Sequence, residues 1–230
     1  MRTDTILAGL SLILVCAAIV VAFMRALYKE KYKHALLFKG LASICFLIFG
    51  AYNFFSREFS WTTLAMLVGL CLGIVGDEMI ALAPIYPQSD EKYFIGGGTF
   101  FLVGHIFYIG ALLTLAKFNV VAVGVVFLVM ALISALYGRS KDYLPTHSRP
   151  KLVLYLGIVV MFASVAMGSF LVRGALCTAL LALGGILFVV SDNILFAYKY
   201  GKNPQFSQNI ILHIAYYLAQ FAIAWSISLV

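Results

Sequence analysis

Two aspartates stand where an acidic side chain is costly. Asp77 ends the run Leu72-Gly73-Ile74-Val75-Gly76-Asp77, and after Glu78 the apolar residues Met79-Ile80-Ala81-Leu82 continue for another turn. Asp192 follows Phe188-Val189-Val190-Ser191 and precedes Asn193-Ile194-Leu195-Phe196. An aspartate at the centre of a membrane helix costs about 2.5–3.5 kcal/mol on insertion scales, and less towards an end. A carboxyl kept at such a site marks handling of protons, ions or a substrate. The blander reading, a solvated helix end, fits poorly with apolar residues on both sides of each acid.

The other polar residues cluster near these two. His105 and Tyr108 are three apart and share a helix face, and His213 and Tyr216 repeat that spacing. His105 joins the two acids as a candidate catalytic group; Tyr108 and Tyr216 are candidate substrate contacts. Lys39 begins an apolar run, where it either snorkels to the interface or binds a lipid phosphate. Glu78 is rotated about 100° from Asp77 on a helix and does not readily share its target. It is a weaker candidate contact. Asn193 reads as a packing hydrogen-bond partner. Gly69, Gly73 and Gly76 lie on much the same face as Asp77 and admit close approach of a helix or ligand.

No metal site is expected. The four cysteines, Cys16, Cys45, Cys71 and Cys177, fall singly inside apolar segments without ligand spacing. The Gly96-Gly97-Gly98 run lacks the Gly-Lys-Ser/Thr of a phosphate loop. A nucleophile elbow, a zinc-binding His pair and a dinucleotide fingerprint are also missing.

What must position these residues follows from composition. Of 230 residues, 63% are hydrophobic and 11% charged, and the mean hydropathy is +1.03. A soluble domain of this length cannot hide so much apolar surface. The alternation that a membrane β-barrel requires is lacking. In hydrocarbon the backbone must satisfy its own polar groups, which leaves helices. Eight apolar stretches reach spanning length, at about 6–24, 35–55, 61–81, 94–116, 120–137, 152–168, 175–197 and 210–229. The first is long for a signal peptide and reads as a span. The expected fold class is all-α: a polytopic membrane protein, one transmembrane domain over residues 1–230, built as a bundle of eight helices.

The net charge of +7 does not indicate nucleic acid, because the basic residues sit in short connections between spans. Twelve lie in or beside the first, third, fifth and seventh connections: Arg25, Lys29, Lys31, Lys33, Lys39, Lys92, Arg139, Lys141, Arg149, Lys151, Lys199 and Lys202. Four lie on the opposite side: Arg2, Arg57, Lys117 and Arg173. The bias predicts cytoplasmic odd connections and extracytoplasmic termini in a cell membrane. Both acids then approach the cytoplasmic face. The sequence also admits two four-helix repeats of one orientation, matching Lys39, Asp77, His105 and Tyr108 to Lys151, Asp192, His213 and Tyr216. A pseudo-twofold axis along the membrane normal would bring the two acids together.

In this order and spacing the residues resemble the YhhN family, the lysoplasmalogenases. The resemblance rests on Lys39, Gly76-Asp77, and Phe100 with Gly104-His105 and Tyr108. It continues through Pro150, Tyr155 and Met161, then Gly185, Phe188 and Ser191-Asp192, and ends at Tyr216-Tyr217 and Gln220. It covers the chain from about residue 35. Glu78 departs from it, standing where an apolar residue is expected. The resemblance implies hydrolysis of the vinyl ether bond of a lysophospholipid, giving a fatty aldehyde and a glycerophospho-alcohol. It implies no cofactor. Such a reaction needs a protonated acid and a negative group to steady an oxocarbenium-like cation, and two carboxyls can divide those roles. Lys39 would hold the phosphate, and the expected partners are the lysophospholipid and membrane lipids. Two other classes share the same features: a small proton-coupled transporter and a non-catalytic lipid-binding membrane protein. Against the transporter, no Pro-broken helices occupy matching places in the two halves.

Overall fold

A computed structural model describes residues 3–141 and 149–230, without the side chains of residues 141 and 149. Arg2 and the side chains of Lys141 and Arg149, counted above for orientation, lie outside the described residues.

Among the described residues there are eight helices long and apolar enough to cross a membrane. They are α1 (Thr3–Tyr28), α2 (Tyr32–Phe55), α3 (Trp61–Leu82), α4 (Asp90–Leu115), α5 (Val120–Lys141), α6 (Arg149–Arg173), α7 (Leu176–Tyr200) and α8 (Phe206–Ser226). This is a multi-pass, all-helical membrane protein. Several helices begin before their apolar stretches, α2 by three residues and α4 and α8 by four, because polar first turns suit a helix start but not a hydropathy window. Asp90 and Glu91 open α4, where carboxylates meet the positive end of the helix dipole. A reciprocal Gln205–Gln208 capping box opens α8. The Ser60 side chain accepts from the Thr62 N–H at 3.2 Å and caps α3.

Helix α3 lies closely along α4. A Cβ added to Gly97 would sit 2.7 Å from the Gly76 carbonyl oxygen, so the two backbones touch where glycine alone fits. Helix α7 packs along α8 and α6 along α7, while α5 stays at the periphery. Besides touching where α8 meets α1 and α3, the halves α1–α4 and α5–α8 meet most extensively at α4 against α6 and at α8 against α2. If α2 matches α6 and α4 matches α8, these are one contact seen from two sides. Phe46, Phe49, Met66, Phe162 and Phe188 fill the interior.

Candidate functional site

Each acid is carried to the bundle interior by its helix phase. Asp77 sits five residues before the end of α3, on the face that meets α2 and α8. Asp192 sits eight residues before the end of α7. Both are buried, at 2% and 4% exposure.

Asp77 is held from three directions. The Lys39 ammonium lies 3.1 Å from its Oδ1. Its Oδ2 accepts from the Ser43 hydroxyl and from the Tyr216 hydroxyl, each at 2.6 Å. Ser43 is one helical turn past Lys39, so one face of α2 presents both groups to the same carboxylate. A cation and two hydroxyl donors on one carboxylate are the partners its ionised form requires.

Asp192 is placed differently. Its Oδ2 accepts from the Tyr155 hydroxyl of α6 at 2.8 Å. Among the described residues no cation stands within ion-pair distance of it. Lys151, which the sequence matching sets against Lys39, is exposed. Tyr155 follows Lys151 by four residues, as Ser43 follows Lys39. The hydroxyl donors therefore match between the halves, but the cation does not.

The two carboxyls line one cavity of about 270 Å³. Lys39, Tyr216, His213 and Ser191 share its wall, with Phe94, Phe101 and Leu195 supplying apolar surface. Its rim is formed by helix ends. There Lys199 at the close of α7 pairs with Asp90 at the start of α4, and Tyr200 donates to Glu91 at 3.0 Å.

Four sequence expectations meet at the cavity: Asp77, Asp192, Lys39 and Tyr216. Lys39 does so in an unexpected way. It is 5% exposed, eight residues into α2, and its charge is paired with Asp77. It neither snorkels nor waits at headgroup level for a phosphate. His105 and Tyr108 stand behind the wall rather than on it. The His105 ring is 4.7 Å from Phe188 and 5.7 Å from Phe162, and its Nδ1 bonds the Phe101 carbonyl at 2.8 Å. Its Nε2 is buried without a hydrogen-bond partner. The helix phase that aligns His105 with Tyr108 turns both off the cavity wall, His105 against Phe188 of α7 and Phe162 of α6, and Tyr108 against Phe162 and Gly69 of α3.

Tyr108 instead opens a chain. Its hydroxyl donates to Gln220 Oε1 at 3.3 Å, Gln220 Nε2 donates to the Tyr216 hydroxyl at 2.9 Å, and Tyr216 donates to Asp77. Glu78 does not line the cavity. Its carboxylate is half-buried against Gly40 of α2, with Oε1 lacking a hydrogen-bond partner. Gly73 leaves room for Gln220, whose amide would lie 2.6 Å from an added Cβ. Ser43, Tyr155 and Gln220 are the site residues that sequence reasoning did not single out as such. The i+4 spacing of Ser43 and Tyr155 from the two lysines was the available signal.

Eight spanning helices around a buried Lys–Asp pair and a second aspartate define a multi-pass membrane protein with a charged cavity near one end of its bundle. A family model, the YhhN family, matches residues 34–227. The chain belongs to that family. No curated protein and no solved structure matches the chain. Helix α1 lies outside the matched segment.

Proposed function

We propose that the protein hydrolyses the vinyl ether bond of lysoplasmalogens, with Asp192 as the proton donor and Asp77 as the fixed negative charge. The observation carrying this reading is the unequal surroundings of two carboxyls in one cavity. Asp77 has a lysine and two hydroxyl donors; Asp192 has one hydroxyl and, among the described residues, no paired cation. A buried carboxyl without a compensating cation is the one suited to carry a proton, while its paired neighbour stays ionised.

Asp192 protonates the outer alkene carbon, and the electrons of the double bond form the new C–H bond. Positive charge then spreads over the inner carbon and the ether oxygen. Asp77 lowers the energy of that cation, as carboxylates do for glycosyl cations. The Asp192 carboxylate takes a proton from water as the water oxygen bonds to the cationic carbon. The hemiacetal collapses, its hydroxyl proton going to the departing oxygen. The products are a fatty aldehyde and glycerophosphoethanolamine or glycerophosphocholine. Tyr216 and Tyr155 hold the carboxyls in place. Lys39 pairs with Asp77, and Tyr108 acts through Gln220 on Tyr216.

The test is mass spectrometry of aldehyde and glycerophospho-alcohol after lysoplasmenylethanolamine meets the purified protein. Asp192→Asn is expected to lower turnover by about 10²–10⁴-fold, the usual worth of a general acid. Near-normal release by Asp192→Asn and Asp77→Asn alike removes the mechanism. Solute flux in liposomes without aldehyde favours a proton-coupled carrier instead.

A further inference from the structure

A second compartment lies outside the acidic cavity, facing the bilayer. It is an apolar groove of about 570 Å³ between α1 and α8. Val20 and Met24 wall it on one side, Ile214 and Leu218 on the other. One end is not apolar. Arg25 in the last turn of α1 and Lys29, the residue that follows its end, are both exposed there. A furrow of hydrocarbon that ends in two cations matches a ligand with one apolar chain and an anionic head.

The groove and the cavity are separated by a single layer. His213 lines both. Two ring contacts close the seam between α1 and α8. The Phe23 and His213 rings lie 4.9 Å apart, and the Tyr28 and Phe206 rings 5.2 Å apart. These edge-on contacts part by rotation of the Phe23 and Tyr28 rings, which leaves the 2.8 Å bond between His213 Nδ1 and the Asn209 carbonyl in place. The acidic cavity is small for a lipid. Ligand pockets run roughly 300–1,000 Å³, and one of about 270 Å³ cannot take both a headgroup and a long chain.

We infer that the α1–α8 groove is a lateral site for a single-chain phospholipid. Its chain lies along α1 and α8, and Arg25 and Lys29 hold its phosphate. From there it passes through the aromatic seam to the acidic cavity. The inference rests on the proposed function in one respect, that this lipid is the substrate. Half of the groove comes from α1, which lies outside the segment that the family model matches.

Binding is tested apart from turnover. Leu218 is replaced by a photoreactive benzoylphenylalanine in the full chain. The probe is radiolabelled lysophosphatidylethanolamine with an ester-linked chain, which has no vinyl ether to cleave. Labelling is expected to fall roughly tenfold or more in Arg25→Glu/Lys29→Glu, since two charge-assisted contacts are lost. An alkyl glycoside of equal chain length is expected to compete poorly. Equal labelling of the charge-reversed variant, or equal competition by the glycoside, reduces the groove to a seat for bulk lipid.

Passage is tested by joining Tyr28→Cys and Phe206→Cys with a reducible thiol cross-linker in a Cys71→Ser background. Cross-linking is expected to stop aldehyde release while groove labelling persists, and reduction to restore release. Release unaffected by the cross-link contradicts passage through the seam. Absence of release both before cross-linking and after reduction counts against the proposed function, while the labelling result stands separately.

Discussion

At the scale of residues, the chemistry of the cavity depends on which group its buried lysine faces. Lys39 is buried in the bundle, and the cost of burying its charge is offset by the ion pair with the buried Asp77. Removing one member of a buried pair strands the other and costs about 3–5 kcal/mol, whereas replacing both is often neutral. Lys39→Met is therefore expected to lower the melting temperature in detergent sharply. Lys39→Met/Asp77→Leu is expected to regain most of that loss while remaining inactive. A double variant no more stable than Lys39→Met contradicts the pairing. The acids were legible in the sequence because apolar neighbours on both sides leave a carboxyl nothing to do at a surface. Lys39 was half legible: its proximity to the chain's basic connections concealed that it faces inward. Ser43 and Tyr155 were not legible as partners, since a hydroxyl on an apolar helix reads as packing until the facing helix is known. His105 was misplaced for the same reason, because a shared face does not say what the face meets.

At the scale of helices, the α3–α4 contact sets where Asp77 sits. Gly76 precedes the acid and touches Gly97 across the interface, where an added Cβ at Gly97 would also lie 3.2 Å from the Ile80 amide nitrogen. Backbone atoms cannot yield as a side chain would. Gly97→Val is expected to cost about 1–3 kcal/mol as overpacking and to impair turnover by displacing α3. Gly98→Ala, with nothing within 4 Å of its Cβ, is expected to leave both unchanged. Equal melting temperatures for the two variants count against this packing. The spans themselves were the most legible feature, because long apolar runs admit one backbone solution in hydrocarbon. Their ends were not, because Asp90-Glu91 and the Gln205–Gln208 box look like loop residues until their place at the helix starts is seen. Side-chain packing between helices was invisible, since each helix has several faces apolar enough to bury.

At the scale of the whole molecule, two sets of four helices hold two acids in dissimilar surroundings. Both histidines, His105 and His213, bond the carbonyl four residues earlier at 2.8 Å. Ser43 and Tyr155 occupy matching places beside Asp77 and Asp192. The match breaks at the lysines, with Lys39 buried and Lys151 exposed. We propose that this break divides the labour between the acids. The charge bias adds an orientation: we propose that the cavity rim, with Lys199 and Asp90, faces the cytoplasm. In a bacterial plasma membrane, alkaline phosphatase fused to the C-terminus is then expected to be active, and a green fluorescent fusion dark. A bright fluorescent fusion reverses the orientation.

Proton delivery from Asp192 to carbon is the step on which the proposed reaction depends. It is measured most directly by hydrolysis of lysoplasmenylethanolamine in D2O, with mass analysis of the aldehyde. One deuterium is expected at the carbon next to the aldehyde group, and Asp192→Asn is expected to suppress formation of this labelled product. Aldehyde without that deuterium, or labelled aldehyde formed at full rate by Asp192→Asn, contradicts it.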